Sequence, residues 1–159
     1  ENKNEIVYGN ILFCTKNDIS KITREWRSSK FNSSKLLYGW MPPHTSVFVK
    51  NEILKKNLYD ENFPISGDYF FILKLFNQNN FKIKFLDKYV TIMRSGGDST
   101  SIKNIFQKYK EDIKIAKKFF KFPYFVILMK IILKINQLKI FKKKLSNEYI
   151  NNLNTLEKL

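Results

Sequence analysis

The chain has one cysteine, one histidine, five glycines and four prolines in 159 residues, and each scarcity excludes something. A lone Cys14 rules out a disulfide framework and a cysteine-rich zinc site. It sits in the apolar run Ile11-Leu12-Phe13-Cys14, which reads as a buried structural thiol. Low glycine and proline, with 43% hydrophobic and 16% aromatic residues, exclude a disordered or fibrous chain. Arginine is scarce as well: only Arg24, Arg27 and Arg94 among 29 basic residues. Nucleic-acid reading leans on the bidentate arginine fork, so the net charge of +15 does not point to DNA or RNA, and no nucleic-acid motif is present. The first residues, Glu1-Asn2-Lys3-Asn4-Glu5, hold no apolar leader, and the expected location is cytoplasmic. No apolar run reaches the roughly 20 residues a spanning helix needs.

What is present is chain enough for one domain and a real core. The positive charge is concentrated: between Ser101 and Leu145 thirteen lysines stand against Glu111 and Asp112 alone. That density suggests a surface facing anionic lipid or polyanion.

Strand and helix patterns alternate along the chain, giving an α/β class with a mixed sheet flanked by helices. Ile6 to Phe13 reads as a strand, broken or continued at Gly9-Asn10, and Lys16 to Ser34 as polar and irregular. Thr45 to Val49 is a short strand, followed by a helix from Glu52 to Asn57 capped by Asn51. Ser66 or Asp68 opens a helix through Asn77 whose apolar residues lie nearly all round, the mark of burial. Phe81 to Leu86 alternates with period two, and Tyr89 to Arg94 follows after Asp87-Lys88 as the second arm of a hairpin. Ser99 or Ser101 caps a long helix from Ile102 to about Lys121.

From Phe122 onward the chain changes character, which sets domain ranges of 1–121 and 122–159. The later range reads as a C-terminal amphipathic helical extension. Lys130, Lys134 and Gln137 form one narrow stripe at helical spacing, and the remaining faces are apolar. Two readings stay open for it. One is a helix packed across the domain or against a partner. The other is an in-plane helix, with Lys142-Lys143-Lys144 on anionic head groups.

Three polar loops carry the chemistry. They are Gly39-Trp40-Met41-Pro42-Pro43-His44-Thr45-Ser46, then Ser66-Gly67-Asp68-Tyr69, then Arg94-Ser95-Gly96-Gly97-Asp98-Ser99. A histidine, an acid at a helix start and a basic Gly-Gly loop, all at element ends, are ingredients of a site on an α/β scaffold.

These loops resemble the C-terminal half of family 2 glycosyltransferases of the GT-A fold, of the bacterial polysaccharide-biosynthesis type. The resemblance rests on Tyr8-Gly9, Pro42-Pro43-His44-Thr45, Asp68-Tyr69 and Arg94-Ser95-Gly96-Gly97-Asp98-Ser99, in that order, and covers roughly residues 6 to 120. Phe63 and the basic helix after Ser99 also fit. It implies an inverting transfer from a nucleotide-sugar donor to an envelope or capsule polysaccharide, or to a lipid-linked acceptor. Asp68 would be the catalytic base. Arg94, Gly96, Gly97, Ser99 and His44 would face the donor diphosphate, with His44 a candidate metal contact. Trp40, Met41 and Tyr69 would line the acceptor pocket.

Two departures stand out. Asn10 occupies a position where the family usually has an acid, and Phe70-Phe71 follow Asp68-Tyr69 in place of acidic or aliphatic residues. The family also implies a nucleotide-binding half ending in an Asp-x-Asp motif, with a divalent metal, Mn or Mg, in the complete enzyme. No Asp-x-Asp occurs in these 159 residues. The expectation is therefore a partial GT-A-like sheet, the acceptor-side portion of such an enzyme, inactive alone. The contrasting expectation is a basic module without chemistry, docking on a membrane surface or polyanion and peripheral at the inner face of the plasma membrane.

Overall fold

The segment Ile6–Cys14 (β1) is buried along nearly its whole length, as a strand with neighbours on both edges and cover on both faces must be. It organises the computed structural model, which describes residues 4–78, 80–95, 102–137 and 143–144. Gly9 does not break it. A single strand runs through, and a Cβ at Gly9 would lie 2.8 Å from a Val90 methyl and 2.9 Å from the Lys88 carbonyl oxygen.

One edge of β1 is shared by two short antiparallel partners. Lys21–Trp26 (β2) pairs with its C-terminal part, Ile11 opposite Trp26 and Cys14 opposite Ile22. Val47–Val49 (β3) pairs with its N-terminal part, Ile6 opposite Val49. The other edge carries Ile83–Arg94 (β4), parallel to β1 from Ile6–Ile83 to Cys14–Arg94. A two-residue strand, Lys143–Lys144 (β5), extends the sheet beyond β2. The sheet is mixed and the class α/β, as the alternating pattern predicts.

Two sequence expectations are corrected here. β2 lies inside the stretch that reads as irregular. The expected hairpin at Asp87-Lys88 is one continuous strand, with Leu86, Asp87 and Lys88 opposite the single Gly9. That bulge absorbs the polar pair. Asp87 turns to Asn10, whose Nδ2 donates to its Oδ1 at 2.9 Å. Asn10 Oδ1 accepts from the Ser28 N–H at 2.7 Å, where the chain leaves β2. The position without the family's acid thus has a buried structural role.

Among the described residues five helices flank the sheet: Ser34–Leu37 (α1), Asn51–Lys56 (α2), Gly67–Phe76 (α3), Ile102–Phe119 (α4) and Pro123–Gln137 (α5). The helix expected to be capped by Asn51 begins at that residue, without a side-chain cap bond. α3 is buried on most sides as its composition requires, with Tyr69, Phe71, Ile72, Leu73, Leu75 and Phe76 in the core. It packs with Ile6 and Tyr8 of β1, Ile115 and Ala116 of α4, and Val126 and Ile127 of α5. Val126 and Ile127, from beyond residue 121, thus lie in the same core as β1, α3 and α4. Leu12 and Cys14 join a smaller cluster with Ile22 and Tyr89. Cys14 is the buried thiol its surroundings imply. Among the described residues no helix is long and apolar enough to cross a membrane.

Candidate functional site

Asp68 is the second residue of α3, and a network from α4 fixes where that helix begins. Glu111 Oε2 accepts the backbone N–H groups of Ile65 at 3.1 Å and Ser66 at 2.8 Å. Gln107 holds the other Glu111 oxygen at 3.0 Å. A carboxylate from a neighbouring helix thus receives backbone donors at the α3 start that Ser66 does not serve with its own side chain. Asp68 emerges half-buried, its Oδ1 accepting the Tyr69 N–H at 2.8 Å. Its Oδ2 meets no hydrogen-bond donor among the described residues.

On its outer side Asp68 lines an open cavity of ≈ 360 Å³ together with Tyr59, Asp60, Glu61, Phe63 and Pro64. Tyr59 lies flat on Phe71, ring centroids 4.7 Å apart and planes 8° from parallel. Its hydroxyl meets His44 Nε2 at 2.5 Å. Burial, and next the nearby Asp68 charge, push the Tyr59 phenol above its ordinary pKa, so it stays protonated as a donor.

His44 opens the one-turn 3₁₀ segment His44–Ser46, which is pinned to the sheet on two sides. Ser46 Oγ donates toward the Gly9 carbonyl at 2.9 Å, and Thr91 Oγ1 donates to the Thr45 carbonyl at 3.0 Å. Thr45 Oγ1 reaches Met93 Sδ at 3.1 Å. The histidine turn therefore touches the end of β4 on one side and, through Tyr59, the Asp68 cavity on the other.

Arg94 is the exposed last residue of β4, and the following Ser95 is tied to the Cys14 carbonyl by both its N–H and its hydroxyl. Gly96, Gly97 and Ser99 lie outside the described residues. So do Ser101 and Asp98. Trp40 packs between Tyr8, Phe31 and Phe76, and Met41 rests on the same core. Neither lines the Asp68 cavity.

Tyr69 faces inward. It is buried, and the Lys130 ammonium lies 3.2 Å from the centre of its ring. Lys130 and Lys108 both reach Asp112 Oδ2, at 3.0 and 3.1 Å. Burial alone would raise the Asp112 pKa, but the two lysines outweigh it and hold the carboxyl below its usual range. Burial pushes Lys130 down to about 8, against the pull of Asp112 and, more weakly, of Asp68. Asp68 thus stands between an open cavity and a buried ion cluster.

Sequence reading missed Tyr59, Glu111, Asp112 and Lys130. One signal was available: Glu111 and Asp112 are the only acids in a lysine-rich stretch, and charge alone gives no reason for them there. Lys130 reads only as one member of a narrow stripe with Lys134 and Gln137, and its stem and ammonium lie inside, only 17% exposed.

No group of three His, Cys, Asp or Glu side chains able to hold a metal occurs among the described residues. His44, the candidate metal contact, has its Nε2 against Tyr59. The described residues thus do not fit a metal site, and no step is derived through one. Comparison with protein-family models, curated proteins and solved structures finds no match.

Proposed function

We propose that this chain is the acceptor-side portion of an inverting, nucleotide-sugar-dependent glycosyltransferase that extends an envelope or capsule saccharide, free or lipid-linked. The observation that carries the reading is the convergence on one turn: His44 bonds Tyr59 beside Asp68, and its neighbour Thr45 contacts the strand that ends in Arg94. The loops that hold His44 and Asp68 both reach Tyr59, and the histidine turn touches Thr91 and Met93 of the strand that ends at Arg94.

In this reading Asp68 is the general base. A carboxylate at a helix start, open on one side to a cavity, can take the proton of an acceptor hydroxyl that enters there. It takes the hydroxyl proton as the oxygen forms a bond to the anomeric carbon and the nucleoside diphosphate leaves from the opposite face. Tyr59, hydrogen-bonded to His44, holds the cavity wall. Arg94, exposed at its strand end, is the cation assigned to the anionic leaving group in this reading.

The test is sugar transfer by the whole gene product, from a panel of UDP- and GDP-sugars to a glycolipid extract. Asp68→Asn should lower the rate by about a hundredfold or more, the usual worth of a positioned base, with an unchanged circular-dichroism spectrum. Transfer at the native rate by that variant would remove Asp68 from the reaction.

A further inference from the structure

α5 carries apolar residues on two faces. Lys130 turns toward the protein, onto Asp112 and Tyr69 and beside buried Val126 and Ile127, while a broad apolar strip looks out to solvent. Tyr124 is 63% exposed, Phe125 47%, Leu128 55%, Ile132 41% and Ile135 60%. At 3.6 residues per turn these five fall within an arc of about 100°, and Lys130 lies nearly opposite its centre. The strip continues onto the end of α1, where exposed Tyr38 meets Phe125 edge-on at 6.2 Å, and onto exposed Phe122 at the α4–α5 corner. A contiguous apolar face of this size marks a surface with an occupant.

We propose that this face docks in the plane of an anionic lipid bilayer. Charge selects the occupant. No acid occurs from Ile113 to Gln137, whereas six lysines do. Two of them flank the strip at its aromatic end: Lys117 Nζ is 5.6 Å from the Tyr124 ring centre and Lys121 Nζ 5.7 Å from that of Phe122. Apolar rings ringed by lysine suit the boundary between acyl chains and acidic head groups. A second copy suits it poorly, because a two-fold contact through this strip would set lysine against lysine with no acid to answer. Length decides between lying on and crossing: fifteen residues of helix span about 22 Å, short of a hydrocarbon core of about 30 Å. Lys130 is committed to Asp112, so the lysines beside the strip that can face head groups are Lys117 and Lys121. The proposal does not rest on sugar transfer.

Co-flotation of the full chain with vesicles tests it. Binding is expected to equimolar phosphatidylcholine and phosphatidylglycerol, much less to phosphatidylcholine alone, and to weaken as salt rises. Leu128→Ser and Ile135→Ser, at exposed positions that leave the core intact, should each weaken binding about tenfold or more. Lys117→Glu with Lys121→Glu should do the same, while Asp68→Asn leaves it unchanged. Binding by both serine variants equal to that of the native chain would overturn the proposal. So would a dimer in sedimentation that Leu128→Ser dissolves, without vesicle binding.

Discussion

At Asn10 one side-chain amide closes three pieces of backbone, accepting from Ser28 and donating to Asp87 while buried against the sheet. Only an amide has both a donor and an acceptor in that shape. Asn10→Asp would leave Ser28 served but set a buried carboxylate against the exposed one of Asp87. The variant should lose about 2–3 kcal/mol in urea unfolding at pH 7. Repulsion raises a folded-state carboxyl pKa, so the deficit should shrink as pH falls toward 4. A deficit that does not change with pH would mean the loss is one of shape alone. At Lys130 the sign is opposite. Its ammonium is pushed by burial down to about 8, against about 10.5 in the unfolded chain. Between those values the unfolded chain holds the proton and the folded one releases it, so this residue's contribution to stability rises with pH and is level below 8. Native protein should therefore gain on Lys130→Met from pH 7.5 to 9.5, measured by urea midpoints. A constant or falling difference would show that Lys130 titrates as an exposed lysine does.

Among the elements, the contact of α1 with α5 has the least room. Gly39, just past α1, has φ +71°, and a Cβ there would stand 2.4 Å from the Lys130 amide nitrogen and 2.7 Å from its Cα. Both the conformation and the space require glycine. Gly39→Ala should cost about 2–4 kcal/mol by thermal or urea unfolding, since the obstacle is helix backbone that cannot swing aside. A loss under 1 kcal/mol, on the order of an ordinary surface change, would show that α5 is free to shift.

The elements also show what could be read beforehand. α3 and the Asp68 helix start were legible because all-round apolar residues and an acid after glycine are local signals. β2 was not, because Lys21 to Trp26 is polar on most positions and becomes a strand only by pairing with β1. β4 looked like two strands because Asp87-Lys88 resembles a turn, and only the parallel register with β1 reveals the bulge. The direction of α5 was beyond reach for a similar reason. Periodicity gives two faces, but the partners Asp112 and Tyr69 decide which one turns inward.

For the molecule as a whole, the core runs without interruption from β1 to α5, so the compositional change at Phe122 is no structural boundary. A chain ended after Lys121 would lose Val126 and Ile127 from the core and leave Asp112 with one lysine in place of two. It should show no cooperative transition in calorimetry and no near-ultraviolet dichroism. A sharp transition in that shortened chain would make α5 an appendage. Asp68, at the helix start that α4 fixes, should lose its fixed position along with it, which ties the site to elements far beyond its own loop.

The parallel pairing of β1 with β4 has a consequence for how the chain is made. Asn10 and Asp87, which bond across that pair, stand 77 residues apart. At about 5–20 residues per second, a ribosome needs several seconds to deliver the second strand after the first. During that interval β1 can meet only its nearer neighbours β2 and β3, and one whole edge of an apolar strand waits unpaired. Nascent chains of this protein are exposed to mispairing for those seconds. A holding chaperone that shields β1 would raise the yield of folded protein more than one acting on the finished chain.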